Sequence, residues 1–342
     1  MTSYLRELFV EITNHCAQTC IHCSSCASSS HYAEIAFEDL RHLIDEALPL
    51  GLEQFTISGG EPLLHPEVMK LVAFLKSKNI KTSLYTCGVV YNSSSELCAV
   101  SSDCFEELAS LQLDRIIFSL HGATATTQAY IAKQPKSFPL LMSSLGKAKR
   151  AGLRVELHTV PMQSNFNELE SIIRLASEIG VEQVSLLRFV PQGRGDDSLM
   201  LTEDQIKQMQ RLYTKWMFRY PNVKIRLGAP FNCVFLQNKK CTAGFDKLLI
   251  SAHGEYFPCE AFKFLRGQRP SIYNTNLGTV WEQDALLKEI RNTDVINISH
   301  CCTCELRTAC NAGCAGQRFL KYGNLQGGPD PCCVHSMVSE WK

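Results

Sequence analysis

The sequence has no charge to spare. Its 34 Lys and Arg residues balance 34 Asp and Glu, for a formal net charge of +0. That excludes the basic excess by which most nucleic-acid-binding and membrane-surface proteins neutralise phosphates. No uncharged apolar run approaches the ~20 residues that a bilayer-spanning helix needs. The opening Met1-Thr2-Ser3-Tyr4-Leu5-Arg6-Glu7 lacks a basic stretch followed by an apolar one, so it does not read as a secretory signal. Internal repeats and heptads are absent too. Together these absences point to a cytoplasmic protein with neither a nucleic-acid nor a membrane partner.

What the chain does have is cysteine. There are 17 in 342 residues, with 45% hydrophobic content, enough for a large core plus a small second module. In a small secreted chain such a count would imply a disulfide framework. Here most of the cysteines fall at short metal-ligand spacings. Cys26, Cys87, Cys98, Cys104, Cys302 and Cys333 do not, and read as small buried hydrophobes.

Through the first two-thirds, strand-like and amphipathic helical runs alternate. Strands are predicted over 7–13, 54–58, 81–86, 115–120, 154–160 and 183–190. Helices are predicted over 37–50, 65–79, 103–111, 137–151, 167–180 and 202–220. Such alternation implies βαβ units and a parallel sheet. The segment 87–102, rich in Ser and small residues, reads as a long loop, either a functional lid or disordered. The runs 248–251 and 256–258, around His253-Gly254-Glu255, read as a hairpin.

Just after the first predicted strand come Cys16, Cys20 and Cys23, spaced C-x3-C-x2-C. Thiolates hold iron–sulfur clusters, and a cubane has four irons. Three ligands leave one iron open, as catalytic metal sites require. Zinc is the alternative, although zinc sites favour paired C-x2-4-C knuckles. After the second strand comes Ile57-Ser58-Gly59-Gly60-Glu61-Pro62. The pair of motifs, in this order, resembles the signature of the radical S-adenosylmethionine (radical SAM) superfamily. That resemblance implies a partial (β/α)6 TIM-like barrel over residues 1–228, with its chemistry at the C-terminal ends of the strands. It implies a [4Fe–4S] cluster on Cys16, Cys20 and Cys23 whose open iron chelates SAM. Reductive cleavage would yield a 5′-deoxyadenosyl radical that abstracts hydrogen from the substrate. Gly59 and Gly60 would let backbone approach the ligand. Carbonyls there, with Glu61 nearby, would accept from the methionine ammonium, and Pro62 would fix the turn. His22 stands where the family has an aromatic near adenine. Ser119 resembles the residue that contacts ribose or the SAM carboxylate. Where the family often continues Ser-Leu-Asp-Gly, this chain has Ser119-Leu120-His121-Gly122. Arg188 could pair with the SAM carboxylate, or form a salt bridge inside the barrel.

From Cys233 onward the sequence becomes Cys-, Gly- and turn-rich. Cys241, Gly254 and Cys259 give C-x12-G-x4-C, and Cys301, Cys304, Cys310 and Cys314 give C-x2-C-x5-C-x3-C, with Cys332 following. These spacings resemble the SPASM domain of radical SAM enzymes, here residues 229–342. By resemblance one auxiliary [4Fe–4S] cluster takes Cys233, Cys241, Cys259 and Cys314. A second takes Cys301, Cys304, Cys310 and Cys332, making three clusters in all. Cys302 and Cys333 are adjacent alternatives to Cys301 and Cys332. Glu260, directly after Cys259, occupies the position of an Asp base in sulfatase-maturing relatives, and is the candidate acid or base.

The resemblance implies an oxidoreductase or maturase that oxidises or cross-links a ribosomally made peptide. It would be fed by an external one-electron donor such as flavodoxin or ferredoxin. Because the sequence begins almost at strand one, a peptide leader would need a separate binding protein. The alternatives are radical modification (dehydrogenation, decarboxylation or epimerisation) of a small metabolite such as a sugar, aminoglycoside or nucleoside, and anaerobic sulfatase maturation, against which Glu260 in place of Asp weighs. A plain iron–sulfur electron carrier would not need the Gly59–Pro62 motif.

Overall fold

The computed structural model describes residues 4–30, 32–237, 241–265 and 267–333. Eleven strands run in chain order: β1 Glu7–Thr13, β2 Gln54–Gly59, β3 Lys81–Thr86, β4 Val89–Tyr91, β5 Leu97–Ala99, β6 Arg115–Ser119, β7 Val155–Thr159, β8 Gln183–Leu186, β9 Lys224–Leu227, β10 Lys247–Ile250 and β11 Tyr256–Phe257. Nine of them form one sheet in the order β11-β10-β1-β2-β3-β6-β7-β8-β9. Every pairing is parallel except that of β10 with β11. The expected partial barrel is thus present, with additional strands at both edges.

Strand alternation sets the layers. In β1, Leu8, Val10 and Ile12 are fully buried in the core against the outer helices. Glu7, Phe9 and Glu11 take the opposite, inner face. The helices between strands are α1 Phe37–Ala47, α2 Val68–Ser77, α3 Ser102–Ser110, α4 Ala125–Ala132, α5 Ser137–Arg150, α6 Leu169–Ile179 and α7 Glu203–Arg219. Helix α6 buries Leu169, Ile172, Ile173 and Ala176, one stripe at helical spacing, and stops at left-handed Gly180. Helix α7 starts at a capping box between Thr202 and Gln205.

Three expectations change. The segment 87–102 holds the antiparallel hairpin β4–β5, packed on α5, instead of an open loop. Helix α4 was not legible. Strand β8 ends at Leu186, so Arg188 lies beyond it. The 248–251/256–258 hairpin is present as β10–β11, but β10 also pairs with β1 and extends the barrel sheet. Around it the chain forms short helices: α8 Asn232–Phe235 before β10, and after β11 α9 Leu277–Gln283, α10 Ala285–Asn292, α11 Arg307–Cys310 and α12 Ala315–Tyr322. Among the described residues no helix is long and apolar enough to cross a membrane.

Candidate functional site

The loop after β1 carries Cys16, Cys20 and Cys23 and is fixed from several sides. Asn14 closes it: its amide donates to the Ala33 carbonyl, and its side-chain oxygen accepts from the Ala33 amide at 2.6 Å. Cys16 donates its amide to Ser28, Thr19 to Ala132 and Ile21 to Ile131, the last two at the end of α4. Glycine lets strand two meet this loop. Gly59 has φ +137, and a Cβ there would fall inside the Thr13 carbonyl oxygen; one on Gly60 would strike that of His15. The amides of Gly60 and Glu61 donate to those same two carbonyls at 2.7 Å. Within the protein, then, these glycines bring backbone to backbone.

The loop after β8 closes over the same cysteines. Gly193 has φ +68, and a Cβ there would collide with the carbonyls of Cys23 and Ser24. Arg194 donates from Nε to the Cys20 carbonyl at 2.9 Å and from Nη1 to that of Ala27 at 2.8 Å, and its amide donates to Cys23. The three thiols of the loop stand near one another. Burial holds the Cys20 thiol well above the usual range, Cys16 and Cys23 add to this, and Arg194 opposes it. Burial raises Cys23 also, again with Arg194 opposing. Three sulfurs on one immobilised loop, with a cation behind, fit a cluster, since such ligands must be deprotonated and metal supplies the compensating charge. Among the described residues no group of three His, Cys, Asp or Glu side chains is arranged to hold a single metal ion.

The other first-site candidates separate. Ser119 ends β6, half-buried, with no partner for its hydroxyl among the described residues. His22 packs edge-on against His121, 4.3 Å between ring centroids; burial, with Arg194 nearby, depresses it to about 4, so its ring is neutral. Glu61 is fully buried and already engaged. It accepts from Thr86 Oγ1 at 2.9 Å, the Cys87 amide at 2.7 Å and the Leu63 amide at 3.2 Å, and burial raises its pKa. Its carboxylate therefore braces β3. Pro62 follows at the start of a short 3-10 turn. Arg188 needs correction as a SAM contact. Its Nη1 is 2.6 Å from Asp330 Oδ2 and 3.0 Å from the Pro230 carbonyl, in a pair whose side chains are nearly inaccessible. The salt-bridge alternative is the one observed, and its partner is in the C-terminal region. Cys87, read as filler, contacts the Cys16 thiol.

The C-terminal cysteines form two neighbourhoods. Burial keeps Cys259 well above the ordinary thiol range, with Cys314 and Cys241 adding. Burial likewise pushes Cys314 up to about 11, with Arg188 opposing and Cys241 adding. In the second group burial pushes Cys301 up to about 11, with Arg318 opposing and Cys333 and Cys304 adding. Cys310 also reaches about 11, from burial and then Cys333. Cys333 is the neighbour common to both. Cys233, expected beside Cys241, has Asp330, Arg188, Cys332 and Cys310 as its charged neighbours. Cys332 also neighbours Arg188 and Asp330. Asp330 knots these parts together, accepting from the amides of Cys314 at 2.7 Å and Cys332 at 2.8 Å as well as from Arg188.

Glu260 stands at the seam. Ser24, next to Cys23, donates to its Oε2 at 3.1 Å, and Lys263 Nζ lies 2.7 Å from the same oxygen. Lys263 is buried and also pairs with Glu11 of β1 at 2.6 Å. Glu11 accepts from Ser25 as well, and burial raises its pKa despite Lys263. One third of the Glu260 side chain remains exposed, so it can still reach a ligand. Neither Lys263, Asp330 nor Arg194 was singled out from the sequence.

Similarity to known proteins agrees with this geometry. The family described as Radical SAM superfamily matches residues 10–206. An AdoMet-dependent heme synthase of Methanosarcina barkeri is 24% identical over 359 residues, covering 98% of each chain. A PqqA peptide cyclase of Rhizobium meliloti is 22% identical, over 97% of this chain and 88% of the relative. Among solved structures, Streptococcus suis SuiB bound to precursor peptide SuiA superposes with a TM-score of 0.80 at 17% identity. That match covers 97% of this chain and 76% of SuiB, and it shows the same fold.

Proposed function

This chain belongs to the radical SAM superfamily, and we propose that it abstracts hydrogen from a ribosomally synthesised peptide, oxidising or cross-linking it. Cys16, Cys20 and Cys23 would hold a [4Fe–4S] cluster, which when bound would supply the electron for reductive cleavage of SAM. The chain's own residues position and shield. Arg194, anchored on the carbonyls of Cys20 and Ala27, holds the cysteine loop in place. Carbonyls beside Gly59 and Gly60 accept the methionine ammonium, and the unpartnered Ser119 hydroxyl meets ribose or carboxylate. Neutral His22 offers its ring face to adenine. Glu260 takes a proton from the substrate, or holds a substrate ammonium, with Lys263 fixing its orientation.

Two auxiliary [4Fe–4S] clusters complete the proposal, three in all. Cys241, Cys259 and Cys314 hold one. Cys301, Cys304 and Cys310 hold the other, with Cys333 preferred over Cys332 as the fourth ligand. Cys233 and Cys332 then flank Arg188. An external one-electron donor, flavodoxin or ferredoxin, reduces the enzyme.

The observation that carries the peptide reading is the near end-to-end similarity to a peptide cyclase. A second reading, a small metabolite as substrate, is favoured by the heme synthase relative, which matches 98% of both chains. Anaerobically reconstituted protein with SAM and reductant distinguishes them. Short peptides encoded beside its gene should stimulate 5′-deoxyadenosine formation and lose a hydrogen pair by mass. If those peptides are inert and a tetrapyrrole precursor of heme is consumed instead, the metabolite reading replaces the first.

A further inference from the structure

The barrel has a second mouth. At the N-terminal ends of the strands, opposite the cysteine loop, lies a chamber of about 300 Å³ lined from every strand of the barrel between β10 and β9. Its inner end is capped by rings: Tyr85 packs edge-on against Phe9 at 5.6 Å and against His158 at 4.9 Å. The walls are charged and unbalanced. Arg115, Lys224, Arg226 and Lys247 line it, against only Glu7 and Glu156. Lys247 pairs with Glu7 at 3.2 Å, and Arg115 with Glu156 at 3.6 Å. That accounts for both carboxylates. Arg226 has only the Ser185 hydroxyl, 2.9 Å from Nε, and Lys224 has no ion pair among the described residues. His158 is about nineteen-twentieths buried and aims into the chamber, and its Nδ1 has no partner. Burial, together with Arg226, Arg115 and Lys247, keeps that imidazole uncharged, so it serves as a neutral donor.

Two surplus cations and an orphaned ring nitrogen around one cavity ask for an anion. Arg226 is half-buried and Lys224 stands at the exposed rim, and fork-shaped guanidinium donors match phosphate and carboxylate oxygens. At ~30 Å³ per water, the chamber holds on the order of ten non-hydrogen atoms. We propose that this lower chamber binds a small multivalent anion, a phosphate or polycarboxylate compound, between Arg226, Lys224 and His158. The site is separate from the SAM end and does not depend on the reaction assigned above.

The test uses the full-length, cluster-loaded protein at low ionic strength, titrated calorimetrically with pyrophosphate in one arm and citrate in the other. At least one should bind saturably with one site per chain, unaffected by saturating SAM, and raise the unfolding temperature. Arg226→Gln should weaken binding about 10- to 100-fold, the range of one charge-assisted hydrogen bond. Lys224→Gln, at the exposed rim, should weaken it severalfold without touching the fold, and so keeps the test informative if Arg226→Gln does not fold. Lys215→Gln, on the exposed face of α7, should change nothing. Absence of saturable binding in both arms overturns the proposal. So does binding that SAM displaces, or that survives Lys224→Gln and Arg226→Gln unchanged.

Discussion

The two cysteine regions are built on opposite principles. The loop holding Cys16, Cys20 and Cys23 is placed by the barrel: by the ends of β1 and β2, by α4, and by Arg194 from the loop after β8. Its backbone is tied down by hydrogen bonds from these elements. The C-terminal region has helices of four to eight residues, and strands of two and four. Buried polar knots, Asp330 with Arg188 and Arg318 with the carbonyl of Leu325, join a small apolar cluster of Phe257, Phe262, Leu286, Ile290 and Leu325. A site that must keep one coordination position open benefits from a scaffold that does not need the metal. A small module with little core to bury gains its folding free energy from metal binding. On the function proposed above, the difference would separate a reactive centre from a structural one.

Replacing Cys16, Cys20 and Cys23 together by Ala tests the first half and has the largest expected effect. SAM cleavage should vanish, iron should fall by about one third if three four-iron clusters are present, and the unfolding temperature should barely move. Retained 5′-deoxyadenosine formation would remove the assignment. A large drop in stability would instead show that the loop needs its metal.

Glu260→Gln probes the seam. Clusters and SAM cleavage should persist while product per 5′-deoxyadenosine falls roughly 10²–10⁴-fold, the span of a general base. An unchanged ratio would mean that the carboxylate only ties Ser24 to Lys263.

Asp330→Ala tests the second half. It leaves Arg188 buried without its counter-charge, which costs about 3–5 kcal/mol, and frees the amides of Cys314 and Cys332. Auxiliary iron and stability should drop together, while uncoupled SAM cleavage continues. Chemical denaturation with iron analysis measures both. Full iron at normal stability would show that metal, not the Asp330 knot, organises the region.

Much of this was legible in the sequence. Strands β1 and β3 fall where alternation placed them, and the Gly59–Gly60 step needed glycine, as its motif suggested. The misses share a cause. Arg194 meets Cys20 across 174 residues, Arg188 meets Asp330 across 142, and Lys263 meets Glu11 across 252. No local periodicity encodes such pairs. The β4–β5 strands are three residues each, too short for an alternation signal. Cys333 neighbours Cys301 and Cys310 while Cys332 meets Arg188, a choice of direction that spacing cannot reveal.

The pairing of β1 with β10 has a consequence for biosynthesis. β1 leaves the ribosome long before β10, and one of its edges is completed only by Lys247–Ile250, more than two hundred residues later. At about 5–20 residues per second, that edge waits roughly ten to fifty seconds. Throughout that interval a nascent chain displays an open, apolar-backed strand, the kind of surface that recruits like strands from neighbouring polysomes. Slow translation of the middle third should therefore lower soluble yield, and co-expressed holdase chaperones should restore it.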